Sequence, residues 1–195
     1  HGHVSRVQLH LLTDGEAMEM VPWRAEHQHV RSALTSAATS LHELSVRLLR
    51  ALGTDGERLE ATREAQERTM GGDVSVLDAL LYPNAEQAAD GEGGDEGGDG
   101  DGVGMRAHTD PGLLTLTLAS RVPGLQLRET ASGAWRDIEA CCTPLNDLIV
   151  FGGEALQFGS NGRHVATTHR VRAADAPRVS TVFELRMHQS EVDVE

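Results

Sequence analysis

Four short segments in the second half of this chain carry their apolar residues in the pattern of strands, and each is fenced by glycine or proline. Leu114, Leu116 and Leu118 alternate with Thr115 and Thr117. Leu125 and Leu127 flank Gln126, Leu148 to Phe151 is a short apolar run, and Val179 to Leu185 closes the series. Side chains alternate across a strand, so a period of two with turn residues between the segments specifies paired short strands. Such strands bury their apolar faces in a β-sandwich or a jelly roll. A further apolar stretch, Ala155 to Phe158, is followed by Asn161-Gly162, two residues that tolerate positive φ, which predicts a tight hairpin there.

The first half has a different period. Val7, Leu9 and Leu11 alternate with Gln8 and His10 and predict one short strand. After Pro22, Val30, Leu34, Ala37, Leu41, Leu44 and Leu48 recur at steps of three and four, one apolar face of a long helix from Trp23 that stops at Gly53. A helix packed on a sheet explains this stripe; a coiled coil needs more heptads. Residues 57–69 predict a second, more exposed helix. The expected fold is mainly β with N-terminal helices.

Between the halves, residues 90–104 read DGEGGDEGGDGDGVG, with eight glycines and six acids in fifteen positions. Such a stretch has no apolar area to offset its backbone entropy and is expected to be a disordered surface loop. The Asp and Gly residues do not follow the ligand order of an EF-hand. The loop also carries much of the acidity: the 195-residue chain has a formal net charge of −13, and without these six acids it is −7. An acidic chain is a poor partner for phosphate backbones, which excludes nucleic acid as the expected partner. No apolar run reaches the length of a membrane span. The two cysteines, Cys141 and Cys142, are neighbours, which excludes a disulfide framework and suits a reducing, cytoplasmic compartment. The first residue is His, so the expectation is a fragment or processed product of a protein acting as a monomer.

The chemistry begins at Met105 with MRAHTDPGLLTLTL. His108 and Asp110 are two apart, so on an extended strand end an imidazole and a carboxylate reach one point. His169, in TTHRV, is the natural third ligand, 61 residues on at the end of another predicted strand. Two His and one carboxylate on one face of a metal leave positions open, which suits non-haem Fe(II). By itself His-x-Asp is common by chance. Ten histidines also mean that most are not ligands: His27, His29 and His42 fall on the predicted helix and are expected to be solvated, and His10, His164 and His188 have no carboxylate at useful spacing. Arg178 and Ser180 are two apart on the last predicted strand and share a face. A guanidinium fork matches a carboxylate bidentately, and a hydroxyl adds a donor. Taken alone, a surface Arg paired with Glu or Asp explains this Arg as well.

The order HTDPGLLTLTL, VPGLQLRE, GAWRDIEA, NDLIVFGGEALQFGSNGRHVATTHRV and RVSTVFEL resembles the C-terminal half of an Fe(II)/2-oxoglutarate-dependent dioxygenase. The most similar subgroup is the isopenicillin N synthase-like one, with its flavonoid, gibberellin and ethylene-forming oxygenases. The resemblance covers residues 105–186 tightly and extends upstream to Leu81-Tyr82-Pro83 and to the long helix. It implies a double-stranded β-helix, or jelly roll, over residues 81–190, the acidic loop included, preceded by a partial N-terminal region, residues 1–80. His108, Asp110 and His169 match the iron triad, Arg178 and Ser180 match the RxS motif that binds the distal carboxylate of 2-oxoglutarate, and Tyr82 matches a tyrosine that often hydrogen-bonds the same co-substrate. Position 80, where the family often has Asn, is Leu, so one co-substrate contact is expected to be missing. The short N-terminal region implies that strands walling the substrate pocket are absent.

The implied activity is oxidation, by default hydroxylation, of a small organic molecule with O2, releasing succinate and CO2. An Arg inside a barrel is costly without an anion, which gives a physical reason to expect a diacid beside Arg178. Alternatives are an Fe(II) oxidase of the same fold that uses no 2-oxoglutarate, a non-catalytic binding module, and a Zn²⁺ hydrolase, for which no general base stands near HTD. Arg178 and Ser180 do not separate the first of these; succinate release does. Replacing residues 91–102 by a short Gly-Ser linker is expected to leave the Tm nearly unchanged, because closure entropy varies slowly with loop length; a large drop in thermal unfolding, or ordering of the native loop by Ca²⁺, would contradict the expected disorder.

Overall fold

The computed structural model describes residues 5–11, 17–18, 26, 28–53, 75–82 and 103–186. The expected helix at 57–69, the acidic stretch up to residue 102, His27 and His188 lie outside the described residues. Among the described residues, ten strands form two antiparallel sheets. The strands are β1 (Ser5–Leu11), β2 (Ala17–Met18), β3 (Ser75–Tyr82), β4 (Val103–His108), β5 (Leu114–Leu118), β6 (Leu125–Arg128), β7 (Trp135–Asp137), β8 (Leu148–Gly152), β9 (His169–Arg172) and β10 (Arg178–Leu185). The major sheet runs β2-β1-β3-β10-β5-β8 and the minor sheet β4-β9-β6-β7. The expected jelly roll is what the chain forms.

Helix α1 (Gln28–Ala51) covers the outer face of the major sheet. Its buried line is Ala38, Ser45 and Leu49, flanked by the half-buried Leu34, Leu41, Leu44 and Leu48, so the contact face is rotated slightly from the expected one and leaves Val30 exposed. Gly53 ends it at φ +64°, in the left-handed region expected of a residue past a helix end. The expectation that His42 is solvated does not hold: it is half-buried, and its ring packs edge-on against Phe183 at 6.4 Å between centroids.

Both faces of the major sheet are buried, and this explains its sequence. Leu77, Leu114, Leu116, Phe183 and Leu185 pack outward beneath α1. The alternate positions of the same strands, among them Asp78, Leu80, Tyr82, Thr115, Thr117, Arg178, Ser180 and Glu184, line a cavity between the sheets. The Thr residues of β5 are therefore interior rather than solvated, at 1% and 3% exposure. Strand β3 is absent from the sequence-based expectation, which places helices before the acidic stretch and no strand at 75–82. Buried on both faces, SVLDALLY shows no clean alternation. It pairs with β1 on one side and β10 on the other, joining residues on either side of position 80.

The second difference lies at 154–159. The apolar stretch Ala155 to Phe158 is not a strand but part of a short helix, α2 (Glu154–Gly159), and Asn161-Gly162, both at positive φ, turn the chain out of it rather than closing a hairpin. Helix α2 starts against the loop after His108. The Glu154 N–H donates to the Asp110 carbonyl at 2.8 Å, and the Gly153 N–H to that of Leu113 at 3.1 Å. A Cβ on Gly153 would press into the Gly112 and Asp110 carbonyl oxygens, the latter at 2.7 Å. Gly153→Ala is expected to cost about 1–3 kcal/mol through overpacking, read as a fall in Tm, and to loosen the Asp110 loop.

Candidate metal centre

His108 is the last residue of β4 and His169 the first of β9, and the two are direct cross-strand partners. This antiparallel pairing closes their 61-residue separation in sequence. Their rings lie 4.2 Å apart, and Phe151 packs on His169 at 4.8 Å between centroids. Asp110 follows in the loop beyond β4. Its Oδ1 is 3.5 Å from His108 Nε2 and 3.7 Å from His169 Nε2. One ligand atom from each of the three residues falls within a 4.8 Å cluster.

Each donor is held from behind. His108 Nδ1 is 2.8 Å from the Arg106 carbonyl oxygen and His169 Nδ1 is 3.2 Å from that of Thr167. A proton on Nδ1 satisfies those carbonyls and leaves Nε2 as the lone-pair donor toward the shared point. The Thr115 hydroxyl donates to Asp110 Oδ2, so Oδ1 is the oxygen left facing the imidazoles. Thr115 is a supporting group that the sequence reading missed, because its place in LTLTL shows only that it faces away from the leucines, and burial of that face comes from the second sheet. Two imidazole nitrogens and one carboxylate oxygen on one side of a point are a donor set that fits non-haem Fe(II) and leaves room for further ligands.

The electrostatics follow from this packing. The hydrogen bond to Asp110 raises the pKa of His108, against an opposing effect of burial. Burial lowers that of His169. Burial pushes the Asp110 carboxyl up, but the hydrogen bonds from His108 and Thr115 and the nearby imidazoles outweigh it and hold it below the usual range.

Tyr82, Arg178 and Ser180 line the same cavity as the three donors, a space of about 400 Å³. Arg178 stands opposite Tyr82 in the β10–β3 register and is 1% exposed. Here the structure corrects an expectation. The anion that accompanies the buried Arg178 is supplied by the chain: Glu139, in a 3-10 turn at Ile138–Cys141, lies 3.0 Å from Nη1. Charge alone therefore does not call for a diacid. Nη1 also donates to the Val122 carbonyl at 2.6 Å, and Nη2 donates to Ser180 Oγ at 2.9 Å. Nε is buried with no hydrogen-bond partner among the described residues. Gly124 lies against it, and a Cβ there would sit 3.5 Å from Nε and 3.3 Å from Cδ. An orphaned buried donor beside a hydroxyl, in the same cavity as the metal donors, fits a carboxylate ligand.

Residues 82–187 match the family model described as the 2OG-Fe(II) oxygenase superfamily. A leucoanthocyanidin dioxygenase of Malus domestica is 31% identical over 145 residues, 71% of this chain and 34% of that protein. A 2-oxoglutarate-dependent dioxygenase of Gibberella zeae is 36% identical over 136 residues, 69% of this chain and 36% of that protein. The chain thus spans about a third of the length of these curated relatives. Among solved structures, a full-length Neurospora crassa protein in complex with alpha-KG superposes at a TM-score of 0.69 with 21% identity, covering 95% of this chain and 55% of that one. The complex of JOX2 with 2OG, Fe and JA gives 0.69 and 22%, covering 95% and 50%. These structural likenesses show the fold.

In anaerobic Fe(II) titrations, Asp110→Ala and His169→Ala are each expected to abolish tight binding, while His164→Ala leaves it unchanged. Protonated imidazole cannot ligate. Because the His108 pKa is raised, affinity should begin to fall above the ordinary imidazole value of 6.5 as pH drops. The fall should steepen only lower, where His169 also takes a proton. Affinity that is flat through this range, or equal for wild type and His169→Ala, would remove His108 or His169 from the ligand set.

Proposed function

Because this chain belongs to the 2OG-Fe(II) oxygenase superfamily, we propose that it is the catalytic portion of an Fe(II)- and 2-oxoglutarate-dependent dioxygenase. The reaction is oxidation, by default hydroxylation, of a small organic molecule, and succinate and CO2 are released. The observation that carries this reading is one cavity lined by His108, Asp110, His169, Arg178, Ser180 and Tyr82 together. The long sequence gap between the triad His residues and the separate RxS strand make that convergence a demanding coincidence for any other use.

In this reading His108 Nε2, His169 Nε2 and Asp110 Oδ1 hold Fe(II). Arg178 Nε and Nη2, with Ser180 Oγ, receive the distal carboxylate of 2-oxoglutarate, and Tyr82 packs beside it. With its 2-oxo acid bound, the iron supplies O2 activation and C–H oxidation, coupled to decarboxylation. The chain's own work is positional. Thr115 and the Arg106 and Thr167 carbonyls fix the donor atoms, and the apolar residues Leu80, Leu125, Phe151 and Val171 keep water from the interior. Among the described residues no helix is long and apolar enough to cross a membrane. The unpaired Cys141 and Cys142 and the net charge of −13 support a reducing, cytoplasmic setting and a small-molecule rather than nucleic-acid substrate.

The test is succinate formed per O2 consumed across a 2-oxoglutarate titration. Arg178→Ala is expected to weaken 2-oxoglutarate by roughly 3–5 kcal/mol and to lower the Tm, because it strips Glu139 of its cation. Arg178→Lys, which keeps charge without the fork, should be intermediate, and Ser180→Ala should cost about 1 kcal/mol. Oxygen uptake without any 2-oxoglutarate would instead establish an oxidase of the same fold.

A further inference from the structure

We propose that Glu139 is a positioning residue for co-substrate selection, holding Arg178 so that its Nε–Nη2 edge is presented to the distal carboxylate. This rests on the reading that Arg178 receives that group.

The carboxylate of Glu139 is itself fixed before Arg178 is considered. It is 5% exposed and accepts three backbone N–H groups from one turn: Ser120 on Oε1 at 2.8 Å, and Gly124 and Leu125 on Oε2 at 2.8 and 2.9 Å. The turn is tied in addition to the strand that carries Arg178, through the Ser120 hydroxyl to the Val179 carbonyl at 2.9 Å. Glu139 is therefore a rigid anion rather than a mobile counter-ion.

Its contact with Arg178 is one-sided. Both carboxylate oxygens address Nη1, at 3.1 and 3.0 Å, and the Val122 carbonyl takes the same nitrogen. Nη1 is saturated, and the roll of the planar guanidinium is set. Of the remaining N–H groups, one on Nη2 goes to Ser180, and Nε has no hydrogen-bond partner among the described residues. A guanidinium offers five donors in a fixed fork, so tethering one end determines what the other presents.

The cavity gives a reason for such a tether. Asp78, Asp110 and Glu184 line it too. An Arg178 without Glu139 would be an uncompensated buried cation in a space with other carboxylates, the metal-binding Asp110 among them. Glu139 removes that competition. It also makes the subsite neutral before the ligand arrives, so the ligand is selected by oriented donors more than by net charge.

The experiment compares 2-oxoglutarate with 2-oxopentanoate, which has the same metal-binding end and no distal carboxylate. Binding of each to the Fe(II)-loaded chain is measured by calorimetry under nitrogen. Wild type should prefer 2-oxoglutarate by about a hundredfold or more, and Glu139→Gln should lose about tenfold or more in 2-oxoglutarate affinity. Affinities for 2-oxopentanoate and Fe(II) should stay within about twofold. Glu139→Asp, with the charge on a shorter arm, should recover part of the loss. If wild type does not distinguish the two acids, the Arg178 reading fails and this proposal with it. If wild type distinguishes them and Glu139→Gln does so equally well, Glu139 has no positioning role and the Arg178 reading stands. Equal loss of both acids and of Fe(II) would make Glu139 merely structural and overturn the proposal. Should the variant not fold, the Arg178 Nε–H resonance of the ¹⁵N-arginine-labelled wild type decides: it should shift with 2-oxoglutarate and not with 2-oxopentanoate, and a bound 2-oxoglutarate that leaves it unmoved overturns the assigned edge.

Discussion

The interior of this jelly roll has to be dry and polar at once, and that requirement organises the rest of the molecule. His169, Arg178 and Ser180 sit away from bulk water, with His108 half-exposed at the rim, yet a buried polar group without a partner costs on the order of 1–3 kcal/mol, and more if it is charged. The chain meets this by giving its interior groups partners of its own. Backbone carbonyls of Arg106 and Thr167 take the histidine Nδ1 sides, Thr115 takes the outer oxygen of Asp110, and a turn of backbone N–H groups takes Glu139. Against that background the unpartnered Nε of Arg178 stands out chemically.

The same requirement explains why the major sheet is covered on both sides. Its inner face cannot supply a purely apolar core, because polar residues occupy it. Much of the hydrophobic stabilisation moves to the outer face, where Leu77, Leu114, Leu116, Phe183 and Leu185 pack under α1. The helix thus completes the core of a sheet whose inside is reserved for the site. The loop bearing Asp110 is held by a different device, the close approach of Gly112 and Gly153, where the missing side chains let two backbone segments hydrogen-bond directly.

Particular residues show where the sequence is legible. His108 and Asp110 announce themselves by spacing, and His169 and the RxS pair by the company of ordered motifs; all line the cavity. The helix face is legible to within a small rotation, because a 3.6-residue repeat survives whatever the helix packs on. Strand β3 is not, since burial of both faces erases the alternation that marks a strand. The segment at 154–159 reads as extended because a short apolar run has no period long enough to tell helix from strand. His42 reads as solvated because the helix pattern assigns faces only approximately.

The sequence by itself determined the family and the jelly-roll class, and it singled out His108, Asp110 and His169, the three side chains that cluster as the candidate metal centre. Each is written in local pattern or in motif order, and local geometry carries such information directly. Only the tertiary structure decided what each interior group leans on. Glu139 lies 39 residues before Arg178 in a segment with no periodic signal, and nothing local to either predicts that they meet at 3.0 Å with the fork half occupied. Pairing across strands is set by sheet register and by the turn at Ser120–Leu125, which are long-range consequences of packing. The charge balance of the Arg178 subsite therefore became visible only when the chain was folded.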